Sequence, residues 1–219
     1  MKKTWLLFVS ITLVISLLAA CTNSKEEING AKDEPNTEDK TDENTKDEKV
    51  TEEGPVSEER AEKKTLHYSV LGESKEESST LTNSDEQNYS IYKLDGYSLA
   101  GEEPNKDSLY LDENSAVSMR VETISKDEAS YEVIANNMIQ SISKVSIGRE
   151  PVEIDDIDKL PQGEGITNSV GYETTFELGT VSGYVFEQGN LIVRLTIFDQ
   201  KSVNLTDAFL KMGETVAMK

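Results

Sequence analysis

Residues 181–199 read VSGYVFEQGNLIVRLTIFD, two apolar runs separated by the turn residues Gln188, Gly189 and Asn190. In the second run, apolar side chains occupy every other position, which is the two-residue period of a half-buried strand. The side chains of this inward face are Leu191, Val193, Leu195 and Ile197. Because glycine and asparagine between two such runs favour a tight turn, we expect a long antiparallel hairpin here.

The same alternation predicts further strands along the chain. In TLHYSVLG, residues 65–72, Leu66, Tyr68 and Val70 alternate with polar residues, so His67, the only histidine, should face solvent. The other predicted strands are NYSIYKL (88–94), DSLYLD (107–112), AVSMRVETI (116–124) and VGYETTFELG (170–179). Together with the long hairpin, these segments indicate an antiparallel sheet rich in hairpins.

Two segments have the pattern of amphipathic helices. SKDE, residues 125–128, fits a capping box. The helix after it should end before Gly148 and bury four side chains at helical spacing, which are Tyr131, Ile134, Met138 and Ile142. Asn204 or Thr206 could cap a closing helix, whose shared face would hold Phe209, Met212 and Val216. Between the two helices, the proline and glycines of EIDDIDKLPQGEG (153–165) indicate a loop.

These elements predict an α+β fold class, an antiparallel β-sheet flanked by helices, in a single domain at residues 65–219. The central helix, expected within MRVETISKDEASYEVIANNMIQSI (119–142), and the hairpin at 181–199 come in an order that resembles the PsbP-like α/β/α sandwich. That family consists largely of binding and assembly modules, and it has no common catalytic set. The resemblance therefore implies a non-enzymatic role.

The first 20 residues have the layout of a secretory signal peptide. Lys2 and Lys3 precede an uncharged run from Trp5 to Ala20, which is shorter than the roughly 20 residues that a membrane-spanning helix needs. LLAAC, residues 17–21, resembles the lipobox of bacterial lipoproteins. The resemblance implies a diacylglyceryl group on Cys21, cleavage before it, and a lipid anchor at the extracytoplasmic face of the cell membrane. The alternative is a buried structural cysteine, or a cysteine that stands by chance at the end of an ordinary signal peptide.

The segment after the cysteine has the composition of a spacer. Residues 22–64 contain 15 acidic and 8 basic residues and no aromatic one. Such a segment cannot bury enough apolar surface to offset the entropy of ordering. We therefore predict that residues 21–64 comprise the lipidated Cys21 and a disordered acidic tether. An acidic binding tail is the alternative interpretation.

The charge of the chain restricts its partners. The sequence holds 42 acidic against 22 basic residues, a net charge of −20, so phosphate backbones and anionic lipid surfaces repel it. We expect no nucleic-acid partner, and attachment to the membrane should depend on the lipid anchor. An unknown protein of the cell envelope is the expected partner. The style of leader and tether favours a Gram-positive bacterium.

The sequence contains no convincing catalytic or metal-binding set. Serine–histidine catalysis would need His67, and cysteine chemistry would need Cys21, whose thiol the lipid would occupy. Asp155, Asp156 and Asp158 lack the ligand spacing of a calcium loop, which leaves a solvated acidic loop or weak calcium association. We expect no enzymatic activity, no cofactor and no dedicated metal site.

One polar segment is a candidate for recognition. GYSLAGEEPNKDSLY, residues 96–110, has the pattern of a long loop between two strands, and long loops on rigid scaffolds often bind partners. Its candidate recognition residues are Glu102, Glu103 and Asp107, and a tolerated surface loop is the alternative. The favoured function is a membrane-anchored extracytoplasmic lipoprotein that acts as a non-enzymatic binding or assembly module. A small-molecule or cation-binding receptor lipoprotein is the alternative.

Overall fold

The computed structural model describes residues 60–146 and 149–219. The predicted signal peptide, Cys21 and the tether up to residue 59 lie outside these residues. Strands hold 53% of the described residues and helices hold 15%. The described helices are all too short or too polar to cross a membrane.

The strands form two antiparallel sheets. In chain order they are β1 (Lys63–Val70), β2 (Glu73–Asn83), β3 (Tyr89–Leu94), β4 (Tyr97–Glu103), β5 (Lys106–Leu111), β6 (Asn114–Ser125), β7 (Val152–Glu153), β8 (Ile166–Thr175), β9 (Gly179–Gln188), β10 (Leu191–Gln200) and β11 (Ala217–Met218). The small sheet has the order β1-β2-β3-β11, and the large sheet has the order β4-β5-β6-β10-β9-β8-β7. The predicted hairpin is confirmed as β9 and β10, which lie inside the large sheet.

The larger core lies on one face of β10. The predicted inward side chains Leu191, Val193, Leu195 and Ile197 are all buried there. They belong to one cluster with Ile91 of the small sheet and with Phe209 and Met212 of helix α2 (Thr206–Gly213). Full burial of an apolar side chain contributes about 1.5–3 kcal/mol, so this face holds the two sheets and α2 together.

A second, smaller core lies on the opposite face of the hairpin. Met138 and Ile142 of helix α1 (Tyr131–Ser143) pack there with Val181, Val185 and Ile192. Gly183 makes this contact possible, because a Cβ atom at that position would lie 2.3 Å from the sulfur of Met138. The large sheet is therefore covered by α1 on one face and by α2 and the small sheet on the other.

The predicted α+β fold class, with an antiparallel sheet flanked by helices as in the PsbP-like sandwich, is wrong. The domain is a β-rich fold with two antiparallel sheets and two helices in the described residues. One reason is β2, whose sequence ESKEESSTLTN is mostly exposed and lacks the apolar alternation that would have revealed it. The other reason is the turn at Asp95 and Gly96, where Gly96 has φ 82° and the chain passes from the small sheet into the large one.

The first helix is present as predicted, but its start was misplaced. Ser125 ends β6 and does not cap a helix, so the predicted capping box is wrong. The N-cap is Ser130, whose hydroxyl accepts the amide of Val133 at 3.4 Å. The helix ends before Gly148 as predicted; of the four side chains expected to be buried, Met138 and Ile142 are buried, whereas Tyr131 and Ile134 are only partly buried.

The closing helix differs from the prediction at both ends. Neither Asn204 nor Thr206 caps α2, because no side-chain hydrogen bond forms at its N-cap residue, Leu205. Val216 is buried but lies beyond the last residue of the helix, Gly213. The start of α2 is held by a residue of β10.

Candidate functional site

A cleft of about 550 Å³ opens where β10 ends and α2 begins. Its walls come from the end of β1, the segment before β8, the strands β8 to β10 and the first turn of α2. The polar residues that define its chemistry are Ser69, Asp158, Glu173, Ser182, Asp199 and Asp207. Six separate chain segments therefore meet at this one surface.

Asp199 fixes the junction between β10 and α2. Its buried carboxylate accepts the amide of Gln200 at 2.7 Å through Oδ1. Through Oδ2 it accepts both the amide and the hydroxyl of Thr206 at 2.8 Å. Amides at a helix start lack partners within the helix, so this carboxylate supplies the cap that α2 does not have locally.

Asp207 ties the same helix to the small sheet. Its Oδ2 accepts the amide of Ser69, near the end of β1, at 2.6 Å. A charged acceptor makes such a bond stronger than one between neutral groups. The β1–β2 turn that follows Ser69 is therefore held beside the cleft.

Ser182 and Tyr184 form the buried part of the cleft, and each is 2% exposed. Neither hydroxyl forms a hydrogen bond of normal geometry within the described residues, and neither oxygen is fully enclosed, so both open to the cleft. Burial raises the pKa of Tyr184; the Ser182 hydroxyl opposes this rise, and the Glu173, Asp207 and Glu214 carboxylates reinforce it. The phenol therefore stays protonated, and its neutral oxygen can accept a hydrogen bond from a group that enters the cleft.

The cleft carries a negative potential. Four carboxylates and two lysines line it. Asp199 and Asp207 are occupied by protein amides, whereas Asp158 and Glu173 are exposed and form no salt bridge within the described residues. Lys159 lies 3.6 Å from Asp156, which neutralises part of its charge. The cleft therefore favours positively charged groups.

Four exposed aliphatic side chains lie next to cleft residues, and we call them the aliphatic rim. They are Leu71, Val152, Ile157 and Leu178, each between 65% and 68% exposed. They are four of the seven large hydrophobic side chains exposed in the described part of the chain. Scattered apolar residues are normal on a protein surface, whereas larger exposed apolar patches mark interaction sites, so the aliphatic rim is a candidate for contact with a partner.

Each member of the rim is adjacent to the cleft by sequence or by pairing. Ile157 precedes Asp158, and Leu71 follows Ser69 by two residues. Val152 pairs with Glu173 between β7 and β8. The carbonyl oxygen of Leu178 accepts the amide of the cleft residue Lys201 at 3.3 Å. The four rim residues therefore reach the edge of the cleft from four different parts of the sequence.

The predicted recognition loop is a tight hairpin. Residues 96–110 form β4 and β5, joined at Pro104 and Asn105, so the expectation of a long loop is wrong. Glu102 accepts two hydrogen bonds from Arg120, both at 2.9 Å. This hydrogen bonding lowers the pKa of the Glu102 carboxyl. Glu103 pairs with Lys106 at 2.7 Å. Recognition by Glu102 and Glu103 stays a prediction.

Asp107, the third predicted recognition residue, lies in the interior. Its side chain is 1% exposed, and its Oδ2 accepts the amide group of Gln87 at 2.8 Å. The Gln87 oxygen in turn accepts the amide of Thr123 at 3.1 Å. Burial raises the pKa of Tyr89, and the Asp107 carboxylate beside it adds to the rise. Asp107 belongs to a buried polar network rather than to the surface of the hairpin.

The remaining sequence candidates do not form a site in the structure. His67 faces solvent as predicted, and its Nδ1 lies 3.7 Å from Glu76. Asp156 caps a short 3-10 turn by accepting the amide of Asp158 at 3.2 Å. Within residues 60–146 and 149–219, no group of three histidine, cysteine, aspartate or glutamate side chains is placed to hold a metal ion, Asp155, Asp156 and Asp158 included.

The last residues of the predicted tether contact the domain. The Arg60 guanidinium donates to the carbonyl oxygens of Ser90 and Thr215 at 3.0 and 2.6 Å, and it lies 4.7 Å from the centre of the Tyr92 ring. The Tyr92 hydroxyl donates to the carbonyl oxygen of Ala61 at 2.6 Å. The chain is therefore fixed to the small sheet from Arg60 onward, beside β11.

The cleft was missed because its residues are ordinary in sequence. The sequence pattern places Ser182 and Tyr184 only in a strand, and Asp199 only at a strand end. The available signal was the position of leucines in turns, at LG (71–72) and LG (178–179), where polar residues are usual. An exposed aliphatic residue in a turn is a reason to look for an interface.

Comparison with known proteins identifies related sequences for part of the chain. Residues 60–153 match a family described as a domain of unknown function (DUF8580). A crystal structure of a protein from Bacteroides thetaiotaomicron VPI-5482 is similar with a TM-score of 0.37 and 11% identity, over 60% of this chain and 45% of that one. This chain thus spans less than half of the length of that protein. No curated protein matches the sequence.

Proposed function

We propose that the protein is a lipid-anchored, non-enzymatic binding or assembly module at the extracytoplasmic face of the cell membrane. The observation that carries the proposal is the cleft with its aliphatic rim. A negatively charged recess that is bordered by exposed aliphatic side chains suits a partner protein, because protein interfaces combine apolar contacts with complementary charge. The partner is a protein of the cell envelope.

The proposed location rests on the N-terminal sequence. The lipobox-like LLAAC ends at Cys21, and an acidic segment follows it up to the first described residues. One acyl chain gives reversible membrane binding, whereas two hold a protein stably, so a diacylglyceryl group is a sufficient anchor. The acidic segment would then act as a spacer between the bilayer and the domain.

A receptor for a small molecule or a cation is the second candidate. It is favoured by the volume of the cleft, which falls inside the range of about 300–1,000 Å³ that is typical of ligand pockets. A bound ligand at 100 times its Kd would stabilise the protein by about 2.7 kcal/mol. Thermal-shift screening against amino acids, sugars, peptides and divalent cations separates this function from protein binding.

Two experiments in cells test the proposal. Globomycin treatment, or the substitution Cys21→Ala, should leave an uncleaved precursor of higher mass or release the protein to the medium, and an unchanged mature mass together with unchanged membrane fractionation in both cases would refute the anchor. Chemical crosslinking of whole cells, followed by purification of the tagged protein, should recover a cell-envelope protein. A Cys21→Ala strain is the matched control, because it lacks the anchor but keeps the domain.

A further inference from the structure

We propose that the cleft binds a basic, aliphatic-rich segment of the partner polypeptide. This inference rests on the proposed function and gives the chemistry of its partner. A lysine or arginine side chain of the segment would enter the cleft between Asp158 and Glu173 and reach the hydroxyls of Ser182 and Tyr184. Its neighbouring aliphatic side chains would pack on Leu71, Ile157 and Leu178.

The charge of the segment follows from the carboxylates of the cleft. Asp158 and Glu173 line the cleft without a salt bridge in the described residues, while Asp199 and Asp207 add negative charge behind them. The whole chain has a net charge of −20, so a basic partner would also be attracted from a distance. An acidic or phosphorylated segment would be repelled.

The buried hydroxyls favour a polar group at the tip of the entering side chain. Ser182 is 2% exposed, but its hydroxyl oxygen is not fully enclosed and forms no hydrogen bond within the described residues. An ammonium or guanidinium group that entered the cleft could donate a hydrogen bond to this oxygen. A purely aliphatic side chain could not do so.

The aliphatic rim indicates that the ligand is larger than one cation. Leu71, Ile157 and Leu178 would be covered only by groups that extend beyond the cleft on several sides. A free diamine or a single amino acid is too small to contact three turns. A polypeptide segment supplies the cation and the apolar side chains together.

Leu71 gives independent support, because its position opposes the local preference of the backbone. Leu71 and Gly72 form the two-residue turn between β1 and β2, with φ values of 53° and 81°. A turn with positive φ at both positions favours asparagine or aspartate followed by glycine. A leucine there is strained and 65% exposed, so neither packing nor turn geometry explains it. Contact with a partner would explain why a leucine occupies this position.

The test uses the mature chain with Cys21→Ala, so that no detergent is needed. The probe is a fluorescently labelled ten-residue peptide of alternating leucine and lysine, and binding is followed by fluorescence anisotropy. The comparison peptides replace every lysine by glutamate. Spermidine serves as a small cationic competitor. We expect the basic peptide to bind with an affinity that falls as salt is added, and the acidic peptide not to bind.

Two variants locate the binding to the cleft. The double substitution Asp158→Asn/Glu173→Gln should weaken the binding of the basic peptide about 3- to 10-fold, because two partly exposed ion pairs with the peptide are lost. Its matched control is Glu128→Gln/Glu132→Gln, which removes two exposed carboxylates, one in the turn before α1 and one in its first turn. The control should leave the affinity unchanged, which corrects for non-specific attraction to the acidic chain.

The second variant separates binding from folding. Leu71→Asn should weaken the binding of the peptide about 5- to 10-fold, because an apolar anchor is lost. It should not lower the urea midpoint of unfolding, because asparagine suits this turn better than leucine does. Val133→Asn, at an exposed aliphatic residue of α1, is its control. Equal affinities for the cleft variants and their controls would overturn the inference, and so would competition by spermidine as strong as that by unlabelled peptide.

The result also distinguishes the inference from the function on which it rests. If whole-cell crosslinking recovers a partner but the basic peptide does not bind, the chemistry proposed for the segment is wrong. If the peptide binds at the cleft but Cys21→Ala changes neither the processing nor the membrane fractionation of the protein, the anchored function is wrong.

Discussion

The carboxylate of Asp199 should be the main support of the cleft, and its removal should be measurable as a loss of stability. It accepts three hydrogen bonds, from the amide of Gln200 and from the amide and hydroxyl of Thr206, at 2.7–2.8 Å. Bonds to a charged acceptor contribute about 1.5–3 kcal/mol each, but bonds to one carboxylate are not additive. We therefore expect Asp199→Ala to lower the free energy of unfolding by about 2–4 kcal/mol.

The substitution Asp199→Asn should remove only part of this stabilisation. Its remaining oxygen can still accept the two Thr206 donors, whereas its NH₂ group would face the Gln200 amide, so we expect a loss of about 1–2 kcal/mol. Urea unfolding of the mature chain measures both losses, and the slope with denaturant should stay constant. Asp85→Ala is the control, since its exposed side chain makes no hydrogen bond within the described residues. A loss below about 0.5 kcal/mol for Asp199→Ala would refute this account of the cleft.

Three further predictions concern other parts of the domain. Val193→Ala, in the fully buried face of β10, should lower the free energy of unfolding by about 1–3 kcal/mol in urea titrations, and a neutral result would mean that the strand was misplaced. Arg60→Ala should destabilise by about 1–2 kcal/mol, because it removes two carbonyl contacts and the interaction with Tyr92; equal urea midpoints would show that the domain does not depend on Arg60. Burial raises the pKa of Glu214 above 4.5, so the folded state binds this proton more tightly than the unfolded state does. The stability of the wild type relative to Glu214→Gln should therefore fall as the pH rises above about 4.5, and parallel stability–pH profiles would contradict the burial of this carboxyl.

Local patterns predicted the elements whose burial alternates along one strand or helix. The β9–β10 hairpin and the buried residues Met138 and Ile142 follow from spacing alone, since the side chains that face a core repeat every two or every three to four residues. The predicted solvent-facing position of His67 follows from the same alternation. These features depend on nearest neighbours in the sequence, and the structure confirms them.

The division into two sheets could not be derived in that way. Which strands pair is a property of contacts between distant segments, such as β11 with β3 or β6 with β10. The strand β2 has exposed serine, lysine and glutamate over most of its length, and it is held by backbone pairing to its two neighbours. A strand stabilised through its backbone leaves little trace in hydrophobic periodicity.

The functional surface was hidden for a related reason. The side chains that line the cleft come from six chain segments, so no single motif contains them. The predicted recognition residue Asp107 was judged by its polar neighbours, yet it is enclosed with Gln87 and Tyr89. Composition indicates how polar a segment is, but burial depends on what the rest of the fold places over it.

Site-specific photocrosslinking in living cells tests the central claim, that the cleft and its rim are the binding surface, most directly. A photoreactive amino acid would replace Leu178 in the rim in one strain and Val133 on α1 in another, two exposed aliphatic positions in different elements, of which only Leu178 borders the cleft. We predict that the residue at position 178 captures one protein of the cell envelope and that Asp158→Asn/Glu173→Gln reduces this product. We predict no such product from position 133. Equal capture at both positions, or a product at 178 that the double substitution leaves unchanged, would contradict the account.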